Sequence, residues 1–206
     1  MIKYKLTEQD GTTFNRSTVW EIGKTNRVKG DGVKLCSSDV LHYYNSPELA
    51  VLFNPVHADI QNPRLFKIEC DSVAHDGLKG GSKWQMPVEE LQLPEITTAQ
   101  RVAFGILCAL EICDDPMFIE WAGRWLSGED RSKDSAAAAA EREAAAWAAA
   151  AAWAAWAAAA AAERAAAWAA TAAWAATAAQ AAAARAAATA WVIDFEAIAK
   201  KAMEVR

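Results

Sequence analysis

The chain has 206 residues, a net charge of -5, and 53% hydrophobic against 23% charged residues, a balance that excludes global disorder and suits one or two folded domains. An acidic net charge with no basic stripe argues against a general nucleic-acid binder, which needs cations to displace the counterions of the phosphates. The average conceals two chemically different parts: residues 136–190 hold 40 alanines, while every histidine and cysteine lies before residue 114.

The start, MIKYKLTEQDG, has no apolar core of the kind a secretory signal carries. Residues 2–6, 18–22, 39–44, 65–70 and 88–93 are short runs, partly alternating and rich in β-branched and aromatic residues, and read as strands. Turn signals separate them: Asp10-Gly11, Gly30-Asp31-Gly32, Asn54-Pro55, Asn62-Pro63 and the glycine-rich stretch 77–81. Ser46-Pro47-Glu48 opens a helix, with serine as N-cap, proline where a missing N–H costs nothing, and an acid at the positive end. That helix is expected to cover Leu49 to Phe53 and to stop before Pro55.

After Pro94 the period becomes helical. Thr97 and Gln100 have the spacing of a capping box ahead of an apolar face of Val102, Ile106, Leu110 and Cys113, predicting a half-buried amphipathic helix. Asp115-Pro116 starts a second helix with Phe118, Trp121 and Trp125 as its stripe and Gly128 as the residue that ends it. Ser132 or Ser135 caps the alanine stretch, and Asp194 caps a final helix carrying Phe195, Ile198 and Met203. The expected fold class is α+β: a small mixed or antiparallel sheet head with a short helix over residues 1–96, then an all-α, Ala/Trp-rich domain over 97–206. In that second domain the hairpin covers 97–128, a long helix or helix hairpin 135–191, and the C-terminal helix 194–205.

The alanine stretch repeats with a period of 21 residues, three heptads. Trp147 recurs as Trp168 and Thr189, Trp153 as Trp174, Trp156 as Thr177, and Arg164 as Arg185. With Thr171 and Trp191 these residues fall on one arc of roughly 155° of a helical wheel, leaving an opposite face of alanine apart from Gln180. A methyl surface lets a second backbone approach closer than the usual axis separation of about 8–10 Å. Indoles also favour burial. Trp147, Trp153, Trp156, Trp168, Thr171, Trp174, Thr177, Arg164 and Arg185 are therefore the expected helix interface, toward another helix, a second copy or a protein partner. Residues 144–162 contain only Ala and Trp, nearly the length of a membrane span, but alanine gains little on transfer and Glu163-Arg164 follows at once, so a soluble helix is expected.

Cys36, Cys70, Cys108 and Cys113 match no CxxC pair and read as reduced thiols, and His42, His57 and His75 lack zinc-motif spacing, so no metal or other cofactor is expected. No catalytic constellation can be assigned. Stretches WEIGKTNRV, KLCSSDVLHYYNSPELAVLFNP and RLFKIEC, about residues 15–95, resemble an uncharacterised domain of phage and prophage proteins. The run Val40 to Tyr44 departs from that family's commoner Gly-Phe-His-Ala-Cys form, so no role of a second cysteine carries over. The order of strand, Ser-Pro-Glu and helix also resembles a segment of ADP-ribosyltransferases, which implies that His42, Tyr43, Tyr44 and Ser46 lie beside a dinucleotide ligand. Residues 98–190, with Trp125, Leu126, Gly128, Glu129 and Ser132, resemble the alanine-rich helical region of putative immunity proteins.

These resemblances imply a phage or prophage accessory protein in the cytoplasm of a bacterial host. The residues add the expectation that it is non-enzymatic, binds protein and self-assembles through the alanine/tryptophan helix, and takes neither nucleic acid nor a membrane as partner. Two alternatives stay open. One is a counter-defence or immunity protein holding a nucleotide-like signal or a host or toxin protein, with His42, Tyr43, Tyr44 and Ser46 as ligand-binding candidates. The other is an ADP-ribosyltransferase-like enzyme.

Overall fold

A computed structural model describes residues 1–13, 16–35, 37–58, 60–132, 135 and 193–206. The alanine stretch 136–192 lies outside them, and so does Cys36. The chain divides into two compact units, Met1–Glu95 and Ile96–Arg206.

The first unit is built on an antiparallel sheet. In chain order its elements are β1 (Ile2–Thr7), β2 (Thr12–Thr13), β3 (Thr18–Val19), β4 (Asn26–Arg27), β5 (Leu41–Tyr44), α1 (Pro47–His57), β6 (Arg64–Cys70), β7 (Ala74–His75), β8 (Lys79–Ser82) and β9 (Trp84–Leu91). Seven of these strands, in the order β4-β9-β6-β1-β5-β8-β7, form one sheet, and β2 pairs with β3 as a separate ribbon. The long central pair β1 and β6 runs in register from Ile2↔Glu69 to Thr7↔Arg64. Both edge strands are two residues long, which leaves little open ladder for another chain to extend.

Expected strands 2–6, 65–70 and 39–44 fall on β1, β6 and β5, with 18–22 shortened to β3. The remaining strand begins earlier than expected, at Trp84 rather than Val88. Pro87 hid its first half. The carbonyl of Pro87 accepts the N–H of Gly23 (2.8 Å); a residue's N and C=O point to the same side of an antiparallel strand, so the missing N–H falls on the sheet's outer side, where proline is tolerated.

The glycine-rich stretch read as a turn is a strand over Lys79–Ser82. Tyr43 lies opposite Gly80 in register, and a Cβ at Gly80 would meet the ring at 2.0 Å. Gly81 faces the other way, where a Cβ would meet Val40 at 2.9 Å. These glycines are sites of close approach within a ladder. Beside them, the Lys83 ammonium donates to the carbonyls of Gly30 (2.8 Å), Asp39 (2.9 Å) and Gly32, pinning the long loop between β4 and β5.

Helix α1 starts as its cap signals require, with Ser46 Oγ accepting the N–H of Leu49 at 3.2 Å. It does not stop before Pro55 but runs on to His57. Its last turn is closed by Ala58 N–H to Asn54 O (3.0 Å), and the Asn54 side chain then brackets Ile60 through both backbone groups (2.8 and 3.0 Å). The termination signal is thus the Asn54 clamp. Leu49, Ala50, Leu52 and Phe53 are buried from the helix, with Leu6, Leu65 and Tyr44 buried from the strands.

In the second unit α2 (Thr98–Leu110), α3 (Pro116–Ser127) and α4 (Phe195–Met203) are the described helices. Each cap is local chemistry visible in the sequence. Thr97 and Gln100 make the reciprocal capping box. Asp115 Oδ1 accepts from Met117 N (2.7 Å) and Phe118 N, Gly128 ends α3 at φ 80°, and Asp194 Oδ1 accepts from Ala197 N (3.0 Å). Between the two candidate caps before the alanine stretch, Ser132 Oγ takes the N–H of Ser135 (3.2 Å).

Helix α2 departs from the amphipathic expectation, because Arg101 to Ala109 are all buried. A helix apolar all round belongs in a core. Helix α4 packs on it and buries Phe195, Ile198, Ala199 and Ala202, and Gln100 Nε2 donates to the Met203 carbonyl at 2.7 Å. α+β is therefore the class of the described chain. No described helix is long and apolar enough to cross a membrane.

Candidate functional site

The four ligand-binding candidates lie on β5 and at the cap of α1, and the pleat divides them. Successive strand residues point to opposite faces, so His42 and Tyr44 share one face while Tyr43 takes the other. The Tyr43 ring packs with Phe66, Ile68 and Cys70, with the Lys3 ammonium 5.6 Å from its centroid and its hydroxyl 2.6 Å from Ser72 Oγ. Burial first, offset by that hydrogen bond, raises the phenol above its ordinary value. Ser46 is buried and its hydroxyl is spent on the helix cap.

On the α1 face, Tyr44 meets a residue to which the sequence reading gave no role. His57, in the last turn of α1, stacks between Tyr44 (5.8 Å between centroids) and Phe53 (5.0 Å). Its Nδ1 lies 3.0 Å from Tyr44 Oη; the phenol donates to it in the tautomer protonated at Nε2. Lys79 lies opposite Tyr44 on β8, and Asp76 binds the backbone of that turn through Leu78 N (2.9 Å) and Lys79 N (2.8 Å).

Electrostatics make both imidazoles weak bases. Burial first, then the Lys79 charge, lowers His57 to about 4, with Asp76 opposing and His42 adding to the repulsion. His42 is likewise lowered to about 4 by burial, then by Lys5 and Lys79, against Asp76. At neutral pH the cluster of His42, Tyr44, His57, Lys79 and Asp76 therefore presents two neutral rings and a phenol beside a lysine and a carboxylate. Chemically this suits hydrogen bonding and stacking, and His57 is packed as a structural ring. His57 lay 13 residues from Tyr44 on an element expected to end at Phe53; only the i, i+4 step from Phe53 on one helix face would have found it.

Two of the thiols, Cys70 and Cys108, are poorly suited to nucleophilic work, which needs the thiolate. Burial pushes Cys70 up to about 11 and Cys108 well above its ordinary value. Among the described residues no group of three or more His, Cys, Asp and Glu is placed to hold a metal. An open groove of about 440 Å³ is lined by Glu8, Gln9, Asp10 and Arg16, with Arg16 paired to Asp10 at 3.4 Å. None of the four ligand candidates lines it. The expected interface residues Trp147, Trp153, Trp156, Trp168, Thr171, Trp174, Thr177, Arg164 and Arg185 all lie outside the described residues.

Fold and site together define an α+β protein whose antiparallel sheet carries a packed Tyr–His cluster under one helix. Compared with known proteins, the chain matches no family model, no curated protein and no solved structure.

Proposed function

We propose that this chain is a non-enzymatic accessory protein of phage or prophage origin that works in the bacterial cytoplasm by binding protein. Its alanine/tryptophan segment carries the assembly, joining copies of the chain or docking a protein partner. The observation that carries this reading is the 21-residue repeat, which sorts Trp, Thr and Arg onto one arc and leaves methyl groups on the other.

Replacing Trp153, Trp156, Trp168 and Trp174 together by glutamine should reduce the sedimentation coefficient to that of a single chain. An assembled wild type whose sedimentation is unchanged by these substitutions would overturn the reading.

A further inference from the structure

Lys5 differs from the ion-paired lysines in how its charge is met. Lys24, Lys67 and Lys200 each face a carboxylate within 3.3 Å, and Lys83 is held by three carbonyls. The half-buried Lys5 has one hydrogen bond, to the His42 carbonyl at 2.8 Å, and the Trp20 indole 4.7 Å from its nitrogen. No carboxylate pairs with it among the described residues. Trp20 is itself fixed, 2% exposed, with its indole N–H donating to Thr13 Oγ1 at 2.8 Å, so the wall over the amine is rigid. A desolvated amine beside an aromatic wall and without a counter-ion is the environment that activates lysine as a nucleophile.

We propose that Lys5 is an acyl-acceptor site, its ε-amine taking the acyl group of a small acyl phosphate. The lone pair of Nζ adds to the carbonyl carbon, the C–O bond to phosphate breaks, and phosphate leaves with that bonding pair. One Nζ proton passes to water or the departing phosphate. The amide product keeps an N–H that can donate to the His42 carbonyl and removes a charge that has no counter-ion, so the acylated chain suits this fold.

Burial lowers Lys5 to about 8, which makes an appreciable share of the amine neutral at pH 7.5, against about one in a thousand for an ordinary lysine. Lower basicity offsets part of that gain in nucleophilicity, leaving an expected rate advantage of about tenfold. The test treats the full chain with acetyl phosphate between pH 7 and 9.5 and follows acetylation at every lysine by peptide mass spectrometry. Lys5 should be modified about tenfold faster than exposed Lys29 and Lys34, with a rate that levels off above pH 8, while theirs keep rising. Modification of Lys5 no faster than theirs, or a Lys5 rate that rises in parallel with theirs through pH 9.5, would overturn the proposal. Because mapping is done on the wild type, it does not depend on a variant folding; K5R should lose that one product and keep the others.

Discussion

Acidification from pH 7 to pH 4 should destabilise the sheet unit through His42 and His57 before its carboxylates protonate. Both rings are neutral in the folded chain, with pKa lowered from 6.5 to about 4 by burial first and by nearby lysine charge second. In the unfolded chain each would protonate near 6.5. Their contribution is therefore fully present above about pH 6.5 and is lost as pH falls toward 4. A displacement of that size corresponds to roughly 3 kcal/mol per ring at full burial. Both rings are only half-buried, so solvent screening reduces this to about 1–2 kcal/mol each. Against a total stability of about 5–10 kcal/mol for a unit of this size, a loss of about 2–4 kcal/mol moves a urea midpoint by more than 1 M. The direct assay is NMR titration of the histidine Cε1–H resonances, paired with urea unfolding at pH 7, 6, 5 and 4.5. Midpoints at 6 or above for His42 and His57, or an unfolding midpoint that does not change over this range, would refute the reasoning. A double variant, H42N with H57Q, should flatten the pH dependence and lower stability at pH 7, since it loses the stacked ring.

Three further outcomes follow from packing and caps. Gly80→Ala places a methyl group inside the van der Waals radius of Tyr43 and should cost about 3 kcal/mol in unfolding free energy by overpacking a buried ring; a loss below about 1 kcal/mol would show that the ring moves freely. Lys83→Met leaves the Gly30, Gly32 and Asp39 carbonyls without their shared donor and should cost about 2 kcal/mol, with amide exchange accelerated in the loop 29–39 and not in the sheet strands. Asp115→Ala removes the acceptor of two α3 amide groups and should lower stability by about 1 kcal/mol, read as a decrease in the thermal midpoint, while D115S recovers most of it.

How much of this was legible in the sequence depended on whether the deciding contact was local. Ser46-Pro47-Glu48, Thr97 with Gln100, Asp115 with Gly128, and Asp194 each act within four residues, and their helices begin where those residues require. Strand β8 was hidden because its glycines answer to Tyr43 and Val40, about 40 residues away, and because Lys-Gly-Gly-Ser has no side-chain alternation to reveal a period. Strands β4 and β7 span two residues each, too short for any periodic signal. The first half of β9 was concealed by Pro87, which is tolerated through the ladder's geometry and not through its own preference. In the candidate site, period-two alternation already implies that Tyr43 parts from His42 and Tyr44; the pairing of Tyr44 with His57 needed α1 to run past Pro55, which its Asn54 clamp and stacked His57 allow.

The claim that the alanine/tryptophan segment joins chains is tested most directly by the mass of the full chain in solution, measured by light scattering after size exclusion from about 1 to 100 µM. The account predicts a mass at least twice the 22.2 kDa of one chain, falling to one chain when Trp153, Trp156, Trp168 and Trp174 are replaced together by glutamine. A wild type that stays at one chain throughout that range, with residues 136–190 open to protease, would contradict it.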